Sequence, residues 1–215
     1  NYIGTYSMTA LPNTPFGLKD YIEKYDLKII NTYTAFNHYD ISEQNDFERE
    51  NMVVGSRTMT FEDYKNAHYF RWIVMSGHFL GLTQFISRFY RTVHDVSYKS
   101  FYTRLLNYAY DHPESFLGKE LKETITSLED TLDAKQPWGR IIQDVKKNFA
   151  WDFEEATAIN VSKNKEVFYE EIEHFLKTYL KYDIEDEVLK DLFNYQKSGL
   201  IDPAKQYPIK QSFDY

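Results

Sequence analysis

Residues 58–95 read TMTFEDYKNAHYFRWIVMSGHFLGLTQFISRFYRTVHD. Thr60 followed three residues later by Asp63 is a helix-start signal, because the hydroxyl can accept from a first-turn N–H while the carboxylate reaches back. Tyr64, His68, Trp72, Met75, Phe79, Leu82, Phe85, Phe89 and Val93 then recur at steps of three and four. That spacing draws one apolar stripe along a helix of roughly nine turns. The run exceeds the usual length of about 8–20 residues, so a break is expected. Gly77 and Gly81 mark the place, since glycine interrupts a helix at low cost and admits a close neighbour. Trp72, mid-stripe, is expected to be buried.

Working outward, 2–11 alternate and are rich in β-formers, which predicts a strand closed by Pro12–Asn13–Thr14–Pro15. A short helix is expected over 17–25, a strand over 27–33, a loop over 34–50 and a short strand over 52–59. Beyond 95 the reading is helical. Ser97 caps a helix carrying Tyr98, Phe101, Leu105 and Tyr108. Pro113 opens one carrying Leu117, Leu121, Ile125, Leu128 and Leu132. Pro137 starts one carrying Trp138, Ile141, Ile142, Val145 and Phe149. Further helices follow over 153–163, 165–182 and 185–198, with Gly199 expected as a left-handed cap. The fold class is mainly α with a small N-terminal strand-containing segment, a multi-helix bundle. The expected divisions are 1–57, 58–200 and an extended tail at 201–215.

The composition agrees. The 215 residues hold 8 Gly and 6 Pro, against roughly 26 at average usage of about 7% and 5%. That deficit favours long helices. A net charge of −8, with basic residues scattered among acids, argues against nucleic-acid binding. No uncharged apolar run is long enough for a membrane span, and with no leader-like stretch the expected location is cytoplasmic. The sequence contains no cysteine, so it offers no thiolate for catalysis, for zinc or for an iron–sulfur cluster.

Catalytic motifs are lacking. The histidines are His38, His68, His78, His94, His112 and His174, and no two stand at metal-pair spacing on one helix. His68 and His78 lie among aromatics on the central helix, where a hydrogen-bonded core histidine is the ordinary outcome. Arg71, Gln84 and Arg88 are the polar groups of that helix best placed for a cleft, with ion pairing to neighbours as the plainer expectation. Glu48 with Glu50, and Glu154 with Glu155, read as solvated acidic faces.

One resemblance is specific. Leu11-Pro12-Asn13-Thr14-Pro15, then Tyr21-Ile22-Glu23-Lys24-Tyr25-Asp26-Leu27-Lys28, is similar to the end of the catalytic barrel in cobalamin-binding radical S-adenosylmethionine (SAM) proteins. Thr58-Met59-Thr60-x-x-Asp63-Tyr64, the aromatic helix up to Tyr90, and Tyr98-x-x-Phe101-Tyr102 resemble the helical region after that barrel. Tyr207-Pro208-Ile209 to Phe213-Asp214-Tyr215 resembles the extended segment near the end of such chains. The family's Cys-x-x-x-Cys-x-x-Cys motif is absent, so no catalytic residue carries over.

The resemblance implies a C-terminal piece of a larger enzyme, excised from the end of an α/β-barrel protein so that 1–57 continue the catalytic barrel, and binding no cofactor itself. The parent would hold a 4Fe–4S cluster, S-adenosylmethionine and cobalamin. The implied partner is the missing barrel and cobalamin domain of the same polypeptide, with a homodimer through 2–11 or the aromatic helix as another expectation. Asn13 and Thr14, at a barrel strand end, join His68, Arg71, His78, Gln84 and Arg88 as candidate substrate-binding residues; no metal site is expected. The alternative reading is a stand-alone helical ligand- or protein-binding module.

Overall fold

The computed structural model describes residues 7–33, 39–40, 48–144, 147–182 and 185–200. The expected strand residues 2–6, the tail 201–215 and His38 lie outside the described residues. The fold is mainly α with small strand segments. In chain order it runs α1 (Lys19–Tyr25), β1 (Lys28–Tyr33), β2 (Tyr39–Asp40), β3 (Arg49–Gly55), α2 (Phe61–Val74), α3 (Gln84–Val93), α4 (Tyr98–Asp111), α5 (Phe116–Leu132), β4 (Arg140–Asp144), β5 (Lys147–Trp151), α6 (Phe153–Lys163), α7 (Lys165–Phe175) and α8 (Asp186–Ser198). No described helix is long and apolar enough to cross a membrane.

The chain separates into two compact units, Asn1–Trp72 with Leu121–Ala156, and Ile73–Glu120 with Thr157–Tyr215. The first holds both sheets. β1 pairs antiparallel with β3, with an irregularity between Lys28 and Ile29. β5 lies between β2 and β4, antiparallel to both. Residues 7–11 do not form a regular strand and do not add to β1: Thr9 bridges Met52, Ala10 N donates to Asn51 O (2.7 Å) and Val53 N to Met8 O (2.8 Å). Two further expectations shift: β2 and the first residues of β3 fall inside 34–50, read as loop, and β3 starts three residues earlier than Met52.

The helix expected from Pro137 is instead the β4–β5 hairpin, with Ile141 opposite Ala150 and Ile142 opposite Phe149. The apolar spacing there fits a helix, but two adjacent β-branched isoleucines suit a pleated strand better. Gly139 leads into β4 where the backbones come close: its φ is +109°, and a Cβ at that position would stand 2.2 Å from Trp151 O.

α2 begins with the expected reciprocal cap. Asp63 N donates to Thr60 Oγ1 (3.0 Å), and Thr60 N to Asp63 Oδ2 (2.9 Å). Tyr64, His68, Trp72 and Met75 are buried, Trp72 completely. Beyond that point only Leu82 of the stripe is fully buried. α2 relaxes into a π-turn over Met75–Phe79 that leaves Phe79 exposed, and the chain then leaves the helix before α3. In α3 the buried residues are Ile86, Ser87 and Tyr90, while Val93 of the expected stripe is 57% exposed. The break resets the helical phase, so one continuous stripe is not the buried face.

Within the second unit, the interruption is repaired by backbone bonds and by side chains of α7 and α8. Thr83 N donates to Gly77 O (2.8 Å) and Leu82 N to Ser76 O (3.3 Å). Tyr169 Oη of α7 donates to Leu82 O (3.0 Å). Gln196 of α8, fully buried, donates through Nε2 to Gly81 O (2.5 Å) and accepts from Phe85 N through Oε1 (2.8 Å). Gly81 takes φ +83°, a conformation other residues enter at a cost.

The remaining caps divide. Ser97 Oγ accepts from Ser100 N (3.1 Å) as expected. α5 starts at Phe116 rather than at Pro113: Ser115 Oγ accepts from Gly118 N (3.0 Å), and Glu171 takes the N–H groups of Phe116 and Leu117. α7 gives way to a π-turn over Leu176–Leu180 closed by Lys181 at φ +58°. Gly199 is right-handed, φ −73°, so the expected left-handed glycine cap is not formed.

Gln196→Ala removes both partners at once and strands the part-buried N–H of Phe85 and C=O of Gly81. Each group left so costs about 1–3 kcal/mol, so the expected loss is about 2–4 kcal/mol in denaturant unfolding. A loss below about 0.5 kcal/mol would show that the break does not depend on α8.

Candidate functional site

The seven candidate residues fall into separate places. Asn13 is exposed and Thr14 half-buried in the turn before α1, where Thr14 Oγ1 donates to Leu11 O (2.9 Å). His68 and Arg71 lie on α2 in the first unit, and His78, Gln84 and Arg88 in the second.

In the first unit, His68 sits in an aromatic cage. Its ring meets Phe153 edge-on at 4.7 Å and Trp138 edge-on at 5.3 Å. The residue is buried and Nε2 has no hydrogen-bond partner. Burial, reinforced by the Arg71 guanidinium, holds its pKa down to about 3. The imidazole is therefore neutral across the physiological range. Arg71 forms a two-pronged pair with Glu154, Nη1 to Oε2 at 3.2 Å and Nη2 to Oε1 at 3.0 Å. Glu154 is 3% exposed, which overturns the expectation of a solvated acidic face. Burial raises the Glu154 pKa and Arg71 pulls it back. Neutral imidazole, caged ring and paired guanidinium make a rigid core feature with no free charge to offer a ligand.

In the second unit, the π-turn brings a set of hydroxyls around His78. Gly77 makes room: a Cβ there would lie 2.6 Å from the Tyr102 ring and 2.8 Å from Thr83 Oγ1. Tyr102 thereby enters the core, with its phenol pushed up to about 12 by burial. Its Oη donates to Ser87 Oγ (3.1 Å) and lies 3.4 Å from both Thr83 Oγ1 and His78 Nδ1. Ser87 Oγ lies 3.4 Å from His78 Nδ1 and donates to Gln84 O (2.9 Å). Gln84 Nε2 donates to His78 O (3.0 Å). Ser76 Oγ is buried without a partner. His78 is half-buried against Tyr98 at 4.9 Å, and Arg88 is exposed. Burial first, then Arg88, lower the His78 pKa. π-turns recur at functional sites because they re-aim side chains. This cluster, with one half-exposed imidazole over buried hydroxyls, is the best-formed candidate site.

Sequence reasoning missed Glu154, Trp138, Phe153, Tyr102 and Ser87 as neighbours of the named residues. Arg71 and Glu154 are separated by 83 positions, and no local pattern joins them. The one usable signal was Gly77, which announces a close approach without naming what approaches.

Among the described residues, no three His, Asp or Glu side chains converge as a metal site. With no cysteine in the chain, its residues do not fit an iron–sulfur cluster.

No protein-family model matches the chain. Two curated proteins are similar to it. The 2-(S-pantetheinyl)-carbapenam-3-carboxylate methyltransferase of Streptantibioticus cattleyicolor is 22% identical over 212 residues, covering 94% of this chain and 31% of that protein. The cobalamin-dependent radical SAM methyltransferase TokK of Streptomyces tokunonensis is 22% identical over 230 residues, covering 98% of this chain and 32% of that protein. The chain thus spans about a third of the length of the curated relatives it matches.

The caged His68 generates a pH prediction. Its folded pKa is depressed, so the unfolded state binds the extra proton between about 3 and 6.5. Stability from this group is complete above about pH 6.5 and falls as pH drops toward 3. His68→Phe keeps an aromatic ring in the cage and removes that titration. The variant is expected to be at least as stable as wild type at pH 7.5 and to gain on it by several kcal/mol toward pH 4, at about 1.4 kcal/mol per pH unit. Parallel urea curves at the two pH values check this; an unchanged difference would show that the ring titrates normally.

Proposed function

We propose that the chain is the accessory, substrate-pocket-capping part of a cobalamin-dependent radical SAM methyltransferase and is not catalytic alone. One observation carries the reading: similarity to two methyltransferases extends along 94% and 98% of this chain yet takes in only 31% and 32% of theirs. The chemistry of the residues supports it. No cysteine can hold a cluster, and the two sites contain no nucleophile–base pair open to a substrate. In this proposal 1–57 continue a catalytic barrel, 58–200 form the helical cap and 201–215 an extended tail. The remainder of the same polypeptide holds the cluster, S-adenosylmethionine and cobalamin, which supply the radical and methyl-transfer chemistry when bound.

Within the cap, the candidate residues take unequal roles. His78 at the π-turn, with the exposed Arg88, and Asn13 with Thr14 in the turn before α1 are the substrate-facing candidates. Gln84 orients the π-turn through its bond to His78 O. His68 and Arg71 stiffen the structure, because the cage and Glu154 already occupy them.

The coding sequence upstream of residue 1 tests the proposal. The frame is expected to continue into a segment carrying three cysteines in cluster spacing. A frame without that segment would overturn the assignment.

A further inference from the structure

We infer that His78 is held as its Nδ1–H tautomer, so that its Nε2 lone pair is a neutral hydrogen-bond acceptor presented to a ligand bringing an amide N–H or a hydroxyl. The inference rests on counting protons in the cluster around Tyr102. The Gln84 carbonyl has lone pairs only, so the Ser87 hydroxyl proton lies on that contact at 2.9 Å. Ser87 Oγ then accepts, and its nearest donor is Tyr102 Oη at 3.1 Å. With both hydroxyl protons assigned, the oxygens that face His78 Nδ1, each at 3.4 Å, present lone pairs. Thr83 Oγ1 can donate to Tyr102 Oη but makes no described bond to the imidazole. A bare Nδ1 facing two lone pairs would be repelled, whereas an Nδ1–H shared between them is stabilised. Which nitrogen carries the proton is set in this way by the partners of the other.

Nε2 lies across the ring from that inward edge. It makes no hydrogen bond among the described residues and is not among the buried unpartnered atoms, in contrast to Nε2 of His68 and His94. The Tyr98 ring, edge-on at 4.9 Å, fixes the plane. Partial burial and the nearby Arg88 guanidinium disfavour the imidazolium, so the presented atom is an acceptor and not a cation. The chain builds this arrangement from the π-turn: a helix without it would not place residue 78 against residues 84 and 87, and a side chain at position 77 would exclude Tyr102. The result is a surface acceptor backed by a buried relay, suited to an amide or alcohol group and ill-suited to a carboxylate at that nitrogen. The inference stands whether or not the methyltransferase reading does.

The test uses the full-length protein labelled with 15N at histidine, with His78 identified by the signals lost in His78→Gln. At pH 8, long-range 1H–15N correlation is expected to show Nδ1 as the protonated nitrogen and Nε2 as the bare one. A protonated Nε2 would overturn the inference. Ser87→Ala deletes one acceptor and is expected to raise the Nε2–H population; an unchanged ratio would overturn the relay as its cause. In wild type, diethyl pyrocarbonate is expected to modify His78 well before His68. Equal protection of the two rings would show that the lone pair is not presented.

Discussion

The rest of the second unit depends on how the broken backbone ladder between Met75 and Phe85 is satisfied. A helix that stops inside a protein leaves carbonyls and amides without partners, and each costs on the order of 1–3 kcal/mol if buried alone. Here the π-turn closes with Leu80 N on Met75 O at 2.9 Å, and the amides of Leu82 and Thr83 reach back to Ser76 O and Gly77 O. The groups still open, Leu82 O, Gly81 O and Phe85 N, are taken by Tyr169 and by both ends of the Gln196 amide. α7 and α8 are therefore tied to the break by polar bonds as well as by apolar packing. The same break re-aims the chain, so that Leu82, Ile86 and Tyr90 become the buried face beyond it.

Burial of polar groups follows a consistent logic in both units. Arg71 and Glu154 are each costly to desolvate, and the two-pronged geometry offsets that cost. Removing either partner alone would leave a buried charge. His68 avoids the problem by remaining neutral among aromatics. In the second unit, neutral hydroxyls surround a neutral imidazole, and the charge of Arg88 stays in solvent. The charged cluster is thus closed and fixed, while the uncharged one reaches the surface. That contrast is why the second unit, and not the first, carries the better candidate site.

Much of the architecture was legible in the sequence because it follows from local rules. The Thr60–Asp63 cap, the Ser97 cap, the buried Trp72 and the helices over 98–111 and 153–163 each rest on neighbours a few residues apart. The break near Gly77 and Gly81 was legible for the same reason. What failed was non-local. Residues 137–149 carry helix-like spacing, but Gly139 and pairing with β5 override it. Glu154 reads as a surface acid until Arg71, distant in sequence, is placed against it. Tyr102, Ser87 and Gln196 carry no local mark of their roles. The family resemblance pointed to cobalamin-binding radical SAM proteins, and the two similar curated proteins are methyltransferases, one of them named as cobalamin-dependent and radical SAM; the substrate residues remain proposals.

In the proposed function the chain is a structured cap that depends on the rest of a larger enzyme for its chemistry. The most direct measurement is to express the chain alone, confirm helical circular dichroism, and incubate it anaerobically with iron, sulfide, a cobalamin and S-adenosylmethionine. The account predicts a folded protein that retains no cluster or cobalamin absorbance after desalting and cleaves no S-adenosylmethionine. Stoichiometric cobalamin retention, or S-adenosylmethionine cleavage by the chain on its own, would contradict it.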